Sequence, residues 1–164
     1  MLKQYSILFI IISLTNNSFS QENNIMFSSD RLILGVSKER TASVSSGDID
    51  NDGDQDIIIA NGRHWPGQNK IFINDGRGIF TIEKNLGAQR STTYAAELGD
   101  FDLDGYLDIA VGNDMAQNYI YTNNGNGDFI KTSSFGKRYS RTRNITLSDI
   151  DNDGDIDILI TNRT

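Results

Sequence analysis

Aspartates spaced two apart around a glycine are the residues of this chain best equipped for chemistry. Asp48-Ile-Asp-Asn-Asp-Gly-Asp-Gln-Asp56, Asp100-Phe-Asp-Leu-Asp-Gly-Tyr-Leu-Asp108 and Asp149-Ile-Asp-Asn-Asp-Gly-Asp-Ile-Asp157 are versions of one nine-residue loop, at steps of 52 and 49 residues. Each has carboxylates at positions 1, 3, 5 and 9. Position 6 is Gly53, Gly105 or Gly154, where a sharp turn calls for the positive φ that glycine adopts most easily. Position 7 is Asp54, Tyr106 or Asp155, and such variation is expected if that position contributes its backbone carbonyl. The candidate metal ligands are therefore Asp48, Asp50, Asp52, Asp54 and Asp56; Asp100, Asp102, Asp104, Tyr106 and Asp108; and Asp149, Asp151, Asp153, Asp155 and Asp157. Four carboxylates and a carbonyl make a flexible, many-oxygen cage, which suits calcium better than magnesium with its tight octahedron and retained waters. Cys is absent and the single His is isolated, which argues against zinc and softer metals. Up to three calcium ions are expected.

Asp, Asn and Gly are also ordinary turn residues, but the charge balance favours a ligand role. The loops hold fourteen of the 22 acidic residues; without them the net charge of −7 would become +7. Carboxylates crowded so closely repel one another unless a cation neutralises them, and three divalent ions would bring the net charge to −1. An EF-hand loop opens the same way but needs an acidic residue at position 12 and flanking helices. Position 12 here is Ile59, Val111 or Ile160, each inside a short β-branched run that reads as a buried strand. Each loop leads into a strand, so the EF-hand is rejected.

The elements that must hold these loops also repeat. Gly35, Gly87 and Gly136 stand 13 residues before the first Asp of each loop, Thr41, Thr93 and Thr142 seven before it, and Asn61, Asn113 and Asn162 five after the last. Asn69-Lys-Ile-Phe-Ile-Asn-Asp-Gly-Arg-Gly-Ile-Phe80 aligns without a gap with Asn118-Tyr-Ile-Tyr-Thr-Asn-Asn-Gly-Asn-Gly-Asp-Phe129. One unit reads as four strands, near 41–47, 56–60, 69–73 and 79–84, with Asn-Gly hairpins at 74–78 and 123–127 supplying left-handed conformations. An antiparallel four-stranded unit of about 50 residues is one blade of a β-propeller. The fold class expected is all-β: about two complete blades and a partial third, with repeats at about 27–79, 80–128 and 129–164.

The loop, the strand after it, the hairpin and the period together resemble the FG-GAP and VCBS repeats of integrin α-subunit propellers and many secreted bacterial proteins. The resemblance covers residues 27–164 and implies a propeller whose blades carry calcium between their first and second strands. Pro66 is the only proline and no Gly-Ala-Pro signature occurs, which places the chain nearer the VCBS-like branch.

Residues 1–20 read as a secretory signal: Lys3, the apolar run from Ile7 to Leu14, and Ser18 and Ser20 at small-residue cleavage positions. The run is too short to span a bilayer, so a secreted or periplasmic module at 21–164 is expected. Closed propellers have roughly four to eight blades. The remaining blades are therefore expected in a longer chain, of which this is a fragment, or in self-assembly of several copies.

Connections in an up-and-down blade alternate sides, so the acidic loops and hairpins share one face. The opposite face receives Arg63, His64, Trp65, Arg90, Lys137, Arg138, Tyr139 and Arg141. Arg63, His64, Trp65, Arg90, Arg138 and Tyr139 are the candidate ligand-binding residues, suited to an anionic glycan or an acidic protein loop; they also fit simple solvated crossings. No enzyme is expected. There is no second His, no Cys and no Ser in a G-x-S-x-G turn, and the paired carboxylates belong to the metal loops. Two functions stay open: a secreted, calcium-binding module for extracellular binding or adhesion, and the structural propeller of a larger secreted enzyme. Neither nucleic acid nor a membrane is an expected partner. Asn144-Ile-Thr146 is a glycosylation sequon inside an expected strand.

Overall fold

A computed structural model describes Leu34 and residues 38–164. The expected signal at 1–20, Gly35 and most of the N-terminal part of the first repeat lie outside the described residues. Ten strands and no helix make up the rest: β1 (Thr41–Gly47), β2 (Asp56–Asn61), β3 (Lys70–Asn74), β4 (Phe80–Asn85), β5 (Thr93–Gly99), β6 (Asp108–Asn113), β7 (Asn118–Asn123), β8 (Phe129–Phe135), β9 (Thr142–Ser148) and β10 (Asp157–Asn162). The first unit's strands fall within a residue or so of where periodicity puts them.

The strands form two four-stranded antiparallel sheets, β1-β2-β3-β4 and β5-β6-β7-β8, and the two-stranded sheet β10-β9. Neighbouring strands in each sheet are consecutive in the chain, as in a propeller blade. Among the described residues the sheets do not close a ring, which matches the expected two blades and part of a third. The sheets are phased differently from the sequence repeat: the repeat boundary near residue 80 falls in the β3–β4 hairpin, whereas the first sheet runs on to Asn85.

Sheets stack through small and β-branched side chains. Ile58, Ala60, Ile71 and Ile73 of the first sheet pack with Ala96, Ile109 and Val111 of the second. Ala95 and Ala110, on the second sheet's other side, meet Ile145, with Leu147 and Ile158 beside them. Gly112 is required by this stacking, since a Cβ there would lie 2.7 Å from Thr142 Cγ2.

The repeating Thr and Asn residues build a polar chain across the sheets, exposed at Thr41 and buried from Asn61 to Thr142. Thr41 Oγ1 donates to Asn61 Oδ1, Asn61 N donates to Asn69 Oδ1, and Asn69 Nδ2 donates to Thr93 Oγ1 of the next sheet. The pattern repeats from Thr93 through Asn113 and Asn118 to Thr142. Burying these groups unpaired would cost about 1–3 kcal/mol each, so the chain specifies the stacking register of neighbouring blades as well as stabilising it.

Candidate metal centres

In each repeat the acidic loop joins the first two strands of a sheet, and its backbone is locked by its own side chains. Asp48 Oδ1 and Oδ2 accept from the backbone N of Asp52 (3.0 Å) and Gly53 (3.0 Å), and Asp100 does the same for Asp104 and Gly105. Position 6 has φ of 96°, 91° and 97° in the three loops, the conformation expected of its glycine. Position 4 is also left-handed. Asn51 and Asn152 tolerate this well, but Leu103, at φ 60°, is a branched side chain in a conformation costing about 1–2 kcal/mol.

Position 9 opens the second strand and ties the loop to the sheet. Asp56 is fully buried; its Oδ2 accepts from Ile49 N (2.9 Å) and its Oδ1 from Asn74 N (2.8 Å), at the start of the β3–β4 hairpin. Asp108 accepts likewise from Phe101 N and Asn123 N, and Asp157 from Ile150 N. Burial raises the Asp108 carboxyl above its ordinary range, the backbone bonds from Asn123 and Phe101 oppose this, and Asp102 and Asp104 raise it further.

The loops bring positions 1, 3 and 9 together. Asp48, Asp50 and Asp56, Asp100, Asp102 and Asp108, and Asp149, Asp151 and Asp157 each present carboxylate oxygens within 4.8 Å of one another. Position 5 lies beside these triads, and its carboxylate also caps the loop: Asp52, Asp104 and Asp153 each accept from the backbone N of position 7. At position 7 two side chains lie against the hairpin of their own sheet. A Cβ added to Gly76 would meet Asp54 Oδ2 at 2.5 Å, and one added to Gly125 would meet the Tyr106 ring at 2.7 Å. Tyr106 can therefore replace Asp without reshaping the loop. The hairpin asparagines are part of the site too, although their sequence reads only as turn chemistry. Asn123 Nδ2 donates to Ile49 O of the first loop (2.7 Å) and to Leu107 O of the second (3.1 Å).

Asp50 supplies the test of whether a cation fits. Its Oδ1 is sealed from solvent and has no hydrogen-bond partner. Desolvation raises its carboxyl above the ordinary range, Asp56, Asp52 and Asp48 raise it further, and a backbone hydrogen bond from Asp52 opposes them in part. An anionic oxygen enclosed without a donor, beside two further carboxylates, fits a hard divalent cation, and an all-oxygen donor set excludes a soft one. Such an ion would supply charge neutralisation at the loop, with Asp48, Asp50 and Asp56 as its side-chain ligands.

The opposite face carries the candidate ligand-binding residues. Arg63, His64 and Trp65 are exposed on the β2–β3 connection, Trp65 by 66 %, while Arg138 lies over the exposed Tyr139 ring at 5.0 Å. Arg90 is already committed: its guanidinium holds both Glu39 oxygens (2.9 and 3.0 Å) and Pro66 O. Two strand residues escaped the sequence reading. Tyr94 OH lies 3.0 Å from His64 Nδ1, and Arg143, paired with Asp114 at 3.0 Å, stacks on the Tyr94 ring at 4.1 Å. Their positions within strands gave no signal of this.

Meandering antiparallel blades stacked through small residues, each with an acidic loop between its first two strands, define a propeller-type repeat protein. A family model described as FG-GAP-like repeat matches residues 48–111 and 100–160, and the chain belongs to that family. No curated protein matches it.

Proposed function

We propose that this chain is a calcium-binding propeller module of a secreted protein, nearer the VCBS-like branch of its family, and that it binds an extracellular glycan or protein rather than catalysing a reaction. The enclosed, partnerless Oδ1 of Asp50 within a carboxylate triad is the observation that carries the metal part of this reading. Calcium is favoured because the site is built from oxygens on a flexible loop, and millimolar extracellular calcium suits even weak sites. Further blades, in a longer chain or in other copies, complete the ring. The ligand surface is the basic and aromatic face, where Arg63, His64, Trp65, Arg138 and Tyr139 stay exposed while Arg90 braces the crossing through Glu39.

Calorimetric titration tests this directly. Three sites per chain are expected, and replacing both Asp100 and Asp104 with Ala removes one and leaves the others countable. A stoichiometry unchanged by that double substitution, or no uptake at millimolar calcium, sinks the proposal.

A further inference from the structure

Among the described residues, the non-glycine positions with positive φ fall into two groups. Asn51, Leu103 and Asn152 turn the acidic loops, whereas His64 (72°), Met115 (56°) and Tyr139 (65°) each turn a connection on the opposite face, at β2–β3, β6–β7 and β8–β9. Glycine takes that conformation at little cost. Met115 and Tyr139 hold it at about 1–2 kcal/mol each, and strain that gathers on one surface motivates a functional reading. What these turns present is large and uncovered. Trp65 follows His64, Tyr139 is 63 % exposed, and Met115 is 61 % exposed although a sheet packs on either side of its own. Contacts join them into one strip. The Tyr94 ring stands perpendicular to His64, with its hydroxyl 3.0 Å from Nδ1, and carries the Arg143 guanidinium on its face. Arg143 pairs with Asp114, the neighbour of Met115; Met115 N donates to Ser140 O (2.8 Å), beside Tyr139 and the Arg138 guanidinium over it. Charge is segregated as well. The connections 62–68, 86–92, 114–117 and 136–141 hold five cations and a single carboxylate, Asp114, which Arg143 occupies, against fourteen carboxylates in the acidic loops. Among the described residues Arg63, Lys137, Arg138 and Arg141 have no ion pair.

We propose that this strip binds an acidic polysaccharide, a linear chain of sugars that bear carboxylates. The inference rests on the reading of this face as the ligand surface and names its ligand class. The rings of Trp65 and Tyr139 and the thioether of Met115 cover the apolar C–H faces of successive sugars, while the unpaired guanidiniums accept ring carboxylates in their planar fork. Platforms and cations drawn from the connections of neighbouring sheets suit an extended ligand. An acidic peptide would match the charge but offers no rigid rings for Trp65 and Tyr139 to cover. Arg143 is a positioning residue: Asp114 neutralises it, and it holds Tyr94 against His64 beneath the strip.

The test uses the full chain in about millimolar calcium, titrated calorimetrically at low and high salt with hexasaccharides of galacturonate, mannuronate and hyaluronan. At least one is expected to bind, and neutral chitohexaose more weakly. Trp65→Ala and Arg138→Gln change exposed side chains, so the melting temperature should stay where it is while each weakens binding at least about tenfold. Arg138→Gln should also flatten the salt dependence, since it removes a screened charge, whereas Trp65→Ala leaves that dependence as in the wild type. No affinity for any of the three uronate chains, equal affinity for chitohexaose, or full affinity in Trp65→Ala overturns the proposal. Hexaglutamate, titrated in parallel, separates the two ideas: if it binds as tightly as the best uronate chain, and equally well to Trp65→Ala, the polysaccharide is sunk while the face remains a ligand surface for protein.

Discussion

The first and third acidic loops differ at one residue of nine, Gln55 against Ile156, yet they occupy different environments. Ile49, at position 2 of the first loop, is 1 % exposed, whereas Ile150 at the same position of the third is 56 % exposed. The hairpin of the second blade covers the first loop: Asn123 holds Ile49 O, and Gly127 lies where a Cβ would stand 3.5 Å from Asp50 Cβ. One Asp50 oxygen, Oδ1, is sealed from water there while the residue as a whole is half-buried, whereas Asp151 stays exposed. An enclosed carboxylate triad gains more from a cation than an open one, because the local dielectric is lower and the unneutralised repulsion greater. Affinity for metal is thus a property of the neighbouring blade as much as of the loop.

Asp50→Asn should give the largest effect and reverse sign with calcium. In a chelator it removes an enclosed charge from beside Asp48 and Asp56 and raises the melting temperature. In calcium at about a hundred times the dissociation constant it forfeits up to ~2.7 kcal/mol of linked stability and lowers it. The same substitution at Asp151 should move both values less, and equal shifts would erase the contrast between the loops. Asn123→Ala removes the donors to Ile49 O and Leu107 O and the acceptor for Gly125 N and Gly127 N, at about 1–3 kcal/mol. Calcium uptake by the first loop should weaken while the third is unchanged; a third site that weakens equally means that the hairpin acts only on global folding.

Leu103→Asn sharpens the comparison from the middle loop. It gives position 4 the residue found in the other two and should stabilise the protein by about 1 kcal/mol, read as a shift in denaturation midpoint. A neutral result would mean that the backbone there relaxes without strain. The smallest effect concerns the interface between the first two blades. Burial raises the Glu97 carboxyl above its ordinary 4.5, partly offset by the Ser45 hydroxyl. Folding therefore favours its neutral form, and stability tied to protonation is present at low pH and lost as pH rises through the folded value. Glu97→Gln should be more stable than wild type at neutral pH, with the gain shrinking to nothing below 4.5. A gain independent of pH would point to packing instead of charge.

Much of this arrangement is local and so can be read along the chain. The Asp-Gly spacing, the β-branched runs and the Asn-Gly hairpins each encode a short-range conformation, and their recurrence encodes a blade. Thr41, Thr93 and Thr142, with their partner asparagines, were visible as repeating residues without a role. Their role lies between blades, and a side chain's partner across a stack leaves no mark on its own segment. The same reason hid Tyr94 and Arg143, and made Arg90 read as a free cation when Glu39 already holds it.

The sequence by itself determined that there are three acidic loops, that each leads into a strand, and that glycine turns their sixth position, because φ preference and alternation act within a few residues. Only the tertiary structure decided that Asp48, Asp50 and Asp56 meet in a largely buried triad, with Asp56 fully covered, while Asp149, Asp151 and Asp157 meet in an open one. It likewise decided that position 7 faces a hairpin. Enclosure comes from whatever packs across the loop, and for nearly identical loops that is set by the neighbouring blade.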